Sequence, residues 1–265
     1  MNLWVIEYYS QQFGAKEELF MKIVDAFWEQ RNLGVVAKEI NFEANDKVSD
    51  LDQIRNLDCE YSVARIPAGC IDLMFNLEEM GYRFIETMLD VQHDHKDIGF
   101  TLNRVAKRIA DSITYYEMND IDLNELRNQL RLGIFKTDRV SLDPAFSPDK
   151  SANRYIGWIG DELTRDGKVY KCIHKDNVFG YFVCRMDGDK VNYVYNIGIY
   201  KDQNYAGLGV GLIIASIKQA LEAGAKKTIS GLSTNNMPAI AANLAAGYRV
   251  IGAKYIYVKH NAPRK

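Results

Sequence analysis

The stretch Tyr205-Ala206-Gly207-Leu208-Gly209-Val210-Gly211 decides the reading of this chain. It follows a strand-like segment, Val191 to Tyr200 (VNYVYNIGIY), and opens a helix-like one, Leu212 to Ala223. Glycines let a backbone approach a bound group closely and adopt φ > 0. The first N–H groups of a helix have no internal partner, and the helix dipole favours negative charge beside them. Strand, glycine loop and helix start together suit capture of a pyrophosphate by main-chain amides. The loop is not a Walker loop, because no Gly-Lys-Ser/Thr follows. It fits a dinucleotide fingerprint poorly, since its glycines recur at every second position and no acidic residue about 20 positions on completes a βαβ unit. A plain glycine-rich turn is the competing reading, and the downstream sequence weighs against it.

Thr228 to Leu232 (TISGL) reads as a second strand, followed by turn and capping residues Ser233-Thr234-Asn235-Asn236. Pro238 falls in the first turn of the next helix, where a missing N–H costs little. That helix runs to Ala246 and stops at Gly247. Tyr248 to Lys259 (YRVIGAKYIYVK) is rich in β-branched and aromatic residues and closes as strand.

Over residues 150 to 260 this order resembles the GNAT superfamily of acetyl-CoA-dependent N-acetyltransferases. The family's loop is Arg/Gln-x-x-Gly-x-Gly/Ala after a strand. Gly209 and Gly211 fill its glycine positions, and Ala206 stands where Arg or Gln belongs. The family's second block is an Asn after the next strand, a short helix and a Gly-aromatic pair, matched by Asn236 and Gly247-Tyr248. The resemblance implies an α/β (α+β) fold with a mixed sheet flanked by helices. It implies acetyl-CoA as co-substrate, held by Ile199, Lys201, Gly207, Leu208, Gly209, Val210, Gly211, Asn236 and Asn243. The family often places a Tyr seven residues after that Asn, as the acid for the leaving thiolate. Here the position is Asn243, which can donate a hydrogen bond to sulfur but not a proton in the usual sense. Tyr248 is the first alternative acid, with Tyr255 and Tyr257 behind it. Tyr193, Tyr195 and Asn196 lie on the strand before the loop, and alternation sets Tyr193, Tyr195 and Ile197 on one face with Asn196 on the other.

Composition frames these expectations. The 265 residues are 47% hydrophobic and 26% charged, with a net charge of −2. That is an ordinary globular balance with no basic stripe, so no nucleic acid partner is expected. No 18-residue apolar window predicts a membrane span, and the segment MNLWVIEYYSQQF does not read as a signal peptide. Cys59, Cys70, Cys172 and Cys184 lack C-x-x-C spacing and fit reduced thiols in a cytoplasmic protein. His93-Asp94-His95 could be a metal pair, but with no further ligand cluster near it reads as solvated linker. No metal site is expected.

An internal repeat divides the chain. Met80-Gly81-Tyr82-Arg83-Phe84-Ile85 resembles Ala246-Gly247-Tyr248-Arg249-Val250-Ile251, which sets Gly81 against Gly247. At the same offset Val63 to Ile66 face Ile229 to Leu232, and Thr87 to Val91 face Ala253 to Tyr257. The N-terminal copy has no glycine loop. Ala44 to Ser49 (ANDKVS) stands in its place, so this copy is expected not to bind a pyrophosphate. The reading is a degenerate GNAT-like N-terminal domain over 1–97 and a catalytic GNAT domain over 98–265, joined through a polar linker, Gln92 to Gly99.

Between join and loop, helices are expected over Asn103 to Ile113, Asp122 to Leu132 and Ala152 to Thr164. Phe135 to Pro148 reads as loop. Lys168–His174 and Val178–Cys184 flank Lys175-Asp176-Asn177 as a hairpin. The layout, with the aromatic segment Arg154 to Ile159, resembles the dTDP-fucosamine (dTDP-4-amino-4,6-dideoxygalactose) acetyltransferases. This implies a small-molecule amine acceptor, a nucleotide-linked amino sugar, seated between the two domains. A peptide or protein amine, or a catalytically silent CoA-binding protein, are the alternatives, and a homodimer is left open.

Overall fold

The computed structural model describes residues 20–97, 102–201 and 207–261. Tyr205 and Ala206 of the glycine loop, and Gly99 at the end of the expected linker, lie outside these. In chain order the elements are β1 (Lys22–Asp25), α1 (Phe27–Leu33), β2 (Ala37–Asn41), a 3-10 turn (Val48–Ile54), β3 (Tyr61–Pro67), α2 (Ile71–Glu79) and β4 (Arg83–Asp94). A second 3-10 turn (His95–Asp97) precedes α3 (Arg104–Asp111), β5 (Ile113–Glu117), α4 (Asp120–Arg131), α5 (Arg139–Leu142) and α6 (Pro148–Leu163). Then come β6 (Lys168–His174), β7 (Asn177–Met186), β8 (Val191–Ile199), α7 (Gly209–Glu222), β9 (Lys227–Ser233), α8 (Met237–Ala245) and β10 (Arg249–His260).

The repeat governs this layout. β3 and β9, α2 and α8, and β4 and β10 each begin and end at one constant offset, from Tyr61 against Lys227 to Asp94 against His260. Gly81 and Gly247, which follow the two helices, have φ of +89° and +93°. A residue with a Cβ adopts that conformation only at a cost, which is why both stops are glycine. β2 runs parallel to β3 as β8 runs parallel to β9. The halves differ between those parallel strands, where the 14-residue α7 is replaced by the 3-10 turn Val48–Ile54.

Among the described residues the ten strands form one mixed sheet in the order β1-β2-β3-β10-β4-β9-β8-β7-β6-β5. The two copies have exchanged their last strands. β10 lies antiparallel between β3 and β4, and β4 lies antiparallel between β10 and β9. Neither β3 nor β9 is paired with the strand that follows it in its own repeat.

Helices cover both faces. α7 is buried nearly all round in its first half, as its run of apolar residues requires. It separates a cluster with Val91, Leu232 and Tyr248 from one with Cys172, Phe182 and Val194. On the other face α4 and α6 pack Leu126, Leu130, Tyr155 and Ile159 against Val169, Tyr181 and Val183. The N-terminal half has its own core of Ile40, Leu51, Ile54, Ile66, Leu77 and Tyr82.

Four expectations change. Gln92, His93 and Asp94 are not linker but the end of β4, paired with Ile229, Thr228 and Lys227 of β9. His93 and His95 are buried rather than solvated, because the exchanged strand carries them into the sheet. The His95 ring bridges the Ala225 carbonyl and Thr228 Oγ1, each at 2.9 Å. The loop after Phe135 contains α5, capped by Asp138, which accepts from Val140 N at 3.0 Å and Ser141 N at 3.3 Å. α6 starts at Pro148 rather than at Ala152, because Pro suits the first turn of a helix. The hairpin has a two-residue turn, with Lys175 at φ +48° and Asp176 at φ +64°, matching the twist of its strands.

Candidate active site

β8 and β9 begin as a parallel pair and then part. Their register runs from Val191–Lys227 to Val194–Ser230 and no ladder pair follows. The cause is local. Val183 pairs with Asn196 and Cys184 with Val194, so Tyr195 is an extra residue, a β-bulge that bends β8 away. Ser230 Oγ donates to Val194 O at 3.0 Å at the fork. The bulge also resets the alternation. Phe182 pairs with Ile197 and both pack beneath α7, whereas Asn196 turns to the opposite face and accepts from the Tyr181 hydroxyl. Tyr195 stays on that opposite face, where Arg185 lies over its ring at 4.9 Å. Ile197 therefore does not share a face with the two tyrosines.

The fork opens toward the start of α7. Gly207 has φ +89°, and among the described residues beyond its chain neighbours no atom lies within 4 Å of where its Cβ would be. The bond from Leu212 N to Leu208 O, 3.0 Å, closes the first helical turn. The N–H groups of Gly209, Val210 and Gly211 precede it and leave the helix end. The first turn carries no acidic residue. These features fit an anionic group such as a pyrophosphate. The glycines have separate causes. A Cβ on Gly209 would meet Ala242 Cβ at 3.6 Å, an ordinary contact. A Cβ on Gly211 would lie 2.4 Å from Ile113 Cδ1 and 2.8 Å from Ile109 Cγ2, so this glycine lets α7 press on α3 and β5.

The other expected site residues are distributed unevenly. Leu208 and Ile199 pack against the Phe182 cluster beside the fork, and Val210 packs against the Tyr248 cluster. Lys201 holds the α4–α5 loop, donating from Nζ to Leu132 O at 2.9 Å. Asn236 caps α8, accepting from Ala239 N at 3.2 Å. Asn243 is 2% exposed and its Nδ2 donates to Ala239 O at 2.9 Å, within its own helix. Tyr248 is buried among Val91, Ile213 and Leu232. Burial pushes its phenol up, against hydrogen bonds with Ser216 and Thr228. Tyr255 and Tyr257 are carried away from the loop by the strand exchange, into the core of the N-terminal half. There Tyr257 donates to Glu78 Oε1 at 3.0 Å.

Residues 132–138 form a loop across the fork. A Cβ on Gly198 would meet Phe135 Cζ at 3.1 Å, so glycine lets the loop lie flat on β8. At the other edge Ser233 Oγ donates to Thr137 O at 3.3 Å. Outside this loop is a cleft of about 410 Å³ lined by Phe135, Phe146, Tyr155, Arg131, Lys136 and Ser141, among others. Phe135 and Tyr155 stack at 4.1 Å, and Phe146 meets Tyr61 of β3 edge-on at 5.1 Å, so the cleft borders both halves.

Beneath it lies a buried ionic cluster that joins the halves and has no signature in the sequence. Glu29 of α1 accepts from Arg139 and from Arg154 Nε at 2.8 Å. Glu39 of β2 accepts from Arg65 at 2.7 Å and Arg139 at 3.3 Å. Burial opposes ionisation of Glu39, but Arg65 and Arg139 outweigh it and hold its pKa below the ordinary carboxylate value. Asp138 behaves likewise, burial being outweighed by Arg154 and by hydrogen bonds from Ser141 and Val140. Arg154 also stacks on Trp158 at 3.6 Å. Glu29 and its two arginines are far apart in the chain and meet only in the fold. Among the described residues no group of three or more His, Cys, Asp or Glu is arranged to hold a metal ion, and no helix is long and apolar enough to cross a membrane.

Residues 134–248 match the family model of the acetyltransferase (GNAT) family. No curated protein matches the chain. Solved structures are similar along nearly all of it. A conserved protein of unknown function from Staphylococcus epidermidis aligns with a TM-score of 0.62 and 14% identity, covering 88% of this chain and 89% of the other. A GCN5-related N-acetyltransferase from Sphaerobacter thermophilus aligns at 0.60 and 11% identity, covering 92% and 77%. A tandem GNAT protein from the clavulanic acid biosynthesis pathway aligns at 0.54 and 14% identity, covering 88% and 77%. The molecule has the GNAT fold in a two-part layout, and it is over residues 134–248 that the chain is similar to the GNAT family.

Proposed function

We propose that this protein transfers the acetyl group of acetyl-CoA directly to the amine of a small acceptor, a nucleotide-linked amino sugar. The observation that carries the reading is the fork between β8 and β9, opening onto the amides at the start of α7. The amides of Gly209, Val210 and Gly211 would hold the pyrophosphate. Beyond Val194 β8 makes no ladder pair with β9, so an extended chain could be laid along that edge as a strand would. Such a chain would carry the thioester into the fork, where main-chain amides can stabilise an oxyanion. The units 1–97 and 98–265 would act together, the first walling the acceptor side.

The cleft supports the acceptor class. Arg131 and Lys136 offer positive charge at its rim, and Phe135, Phe146 and Tyr155 offer aromatic surface. That combination suits a phosphorylated, base-bearing ligand. Thiol release from acetyl-CoA, with dTDP-4-amino-4,6-dideoxygalactose and a lysine peptide as rival acceptors, tests the assignment. Turnover of the sugar is expected. Turnover of the peptide alone would favour a protein acyltransferase. Acetyl-CoA binding without turnover of either would make this a silent CoA-binding protein, a reading that the absence of Tyr at position 243 keeps in view.

A further inference from the structure

The ionic cluster is not balanced. Among the described residues Glu29, Glu39, Glu86 and Asp138 face the guanidiniums of Arg65, Arg139 and Arg154, four negative groups against three positive. Glu86 is the member left over. It is 4% exposed, its Oε2 is buried without a hydrogen-bond partner, and no described cation forms an ion pair with it. Arg139 is within electrostatic reach but is engaged by Glu29 and Glu39. Two buried donors of the same cluster, Arg139 Nε and Arg154 Nη2, also lack acceptors. A buried carboxylate oxygen without a hydrogen bond is costly, and such groups call for an explanation.

The position of Glu86 suggests one. It lies on β4, the strand that the exchange inserts beside β9. Its pair on β10 is Ile256, which packs with Met88 and Val140, so Glu86 faces α5. Thr87 O accepts from Thr234 N at 2.8 Å, and Met88 pairs with Ser233. Glu86 is thus level with the end of β9, where β8 has already departed. Tyr155 connects it to the cleft. Its ring lines that cleft, and its hydroxyl feels Asp138, Arg154, Glu86 and Arg139.

We propose that Glu86, supplied by the N-terminal repeat, receives the positively charged amine of the acceptor and takes its proton. This deepens the acetyl-transfer reading and rests on it. The ammonium passes one proton to the carboxylate. The freed lone pair attacks the thioester carbonyl carbon, and the C–S bond breaks with its electron pair on sulfur. The second proton lost by nitrogen neutralises the thiolate, and the carboxylic acid returns its proton to solvent. General-base assistance of this kind contributes about 100- to 10,000-fold.

The test compares wild type with Glu86→Gln, using dTDP-4-amino-4,6-dideoxygalactose, its N-acetyl product and acetyl-CoA. Three things are measured: kcat/KM for the amino sugar, affinity for each sugar, and thermal stability. We expect kcat/KM to fall about 100-fold in the variant. The wild-type preference for the amino sugar over its uncharged product should vanish in the variant, and acetyl-CoA affinity should stay the same. The melting temperature should hold or rise by about 2 °C, because an uncompensated buried charge has been removed. A falling melting temperature with kcat/KM retained would make Glu86 a structural partner of Arg139 and overturn the proposal. Unchanged kcat/KM overturns it alone. Absence of wild-type turnover overturns the acceptor assignment and this proposal together.

Discussion

Gly209 and Gly211 stand two positions apart and serve different ends. Gly209 has room for a side chain toward the protein, so Gly209→Val should leave the melting temperature within about 2 °C of wild type. Its isopropyl group should crowd the loop and weaken acetyl-CoA at least about tenfold, or about 1.4 kcal/mol. Calorimetry showing unchanged affinity would remove this loop from the binding site. Gly211→Ala should do the reverse. A methyl forced against Ile109 and Ile113 costs about 1–3 kcal/mol of stability. Asn243 is a third case. Its side chain is engaged with Ala239 O inside α8, which reads as packing rather than chemistry. Asn243→Ala should lower stability by about 1 kcal/mol and keep turnover. A tenfold or greater loss of turnover at an unchanged melting temperature would give it a role at the sulfur instead.

At the scale of elements, the exchanged strands dominate. β10 has β3 on one side and β4 on the other, both from the N-terminal repeat. A chain covering 98–265 alone would leave both edges of β10 and one edge of β9 without hydrogen-bonding neighbours. Such exposed, β-branched edges favour aggregation. We expect this fragment to lose its cooperative thermal transition, and co-expression with the 1–97 fragment to restore it. A soluble, monomeric fragment with a sharp transition would mean that β10 re-pairs with β9. The repeat makes that rival pairing conceivable, because β4 and β10 are equivalent strands and either can meet β9 antiparallel.

For the molecule as a whole, the seam between the repeats is held by buried charge, and that gives stability a pH dependence. Glu39 and Asp138 have pKa values below the ordinary carboxylate range. Between the folded and unfolded values the unfolded chain binds more protons. Their contribution is therefore complete above the unfolded pKa of about 4 and is lost as pH falls through the folded values. Arg139→Met leaves Glu29 and Glu39 short of a counter-ion and should cost about 3–5 kcal/mol at pH 7. It should also shrink the acid-dependent loss. Urea unfolding from pH 3 to 7 checks both, and parallel curves for variant and wild type would show that the cluster does not set the acid limit.

Much of the fold and part of the site were legible in the chain because their causes are local. The run from β8 through the glycine loop, α7, β9 and α8 to β10 is written in glycine and proline punctuation and in apolar periodicity over short windows. The repeat was legible because two copies of one pattern share a constant offset, which β3 and β9, α2 and α8, and β4 and β10 all obey. Strand pairing was not legible, since equivalent strands compete for equivalent neighbours and local sequence does not rank them. That choice moved Tyr255 and Tyr257 away from the glycine loop, buried His93 and His95, and brought Glu86 to the end of β9. The bulge at Tyr195, which puts Asn196 on the face of the two tyrosines and Ile197 on the other, is likewise a property of two paired strands. The sequence by itself determined the elements and the glycine loop suited to a pyrophosphate. The tertiary structure alone decided which half lends which residue to the seam between the repeats, because a buried charge is defined by partners that the chain brings together only when folded.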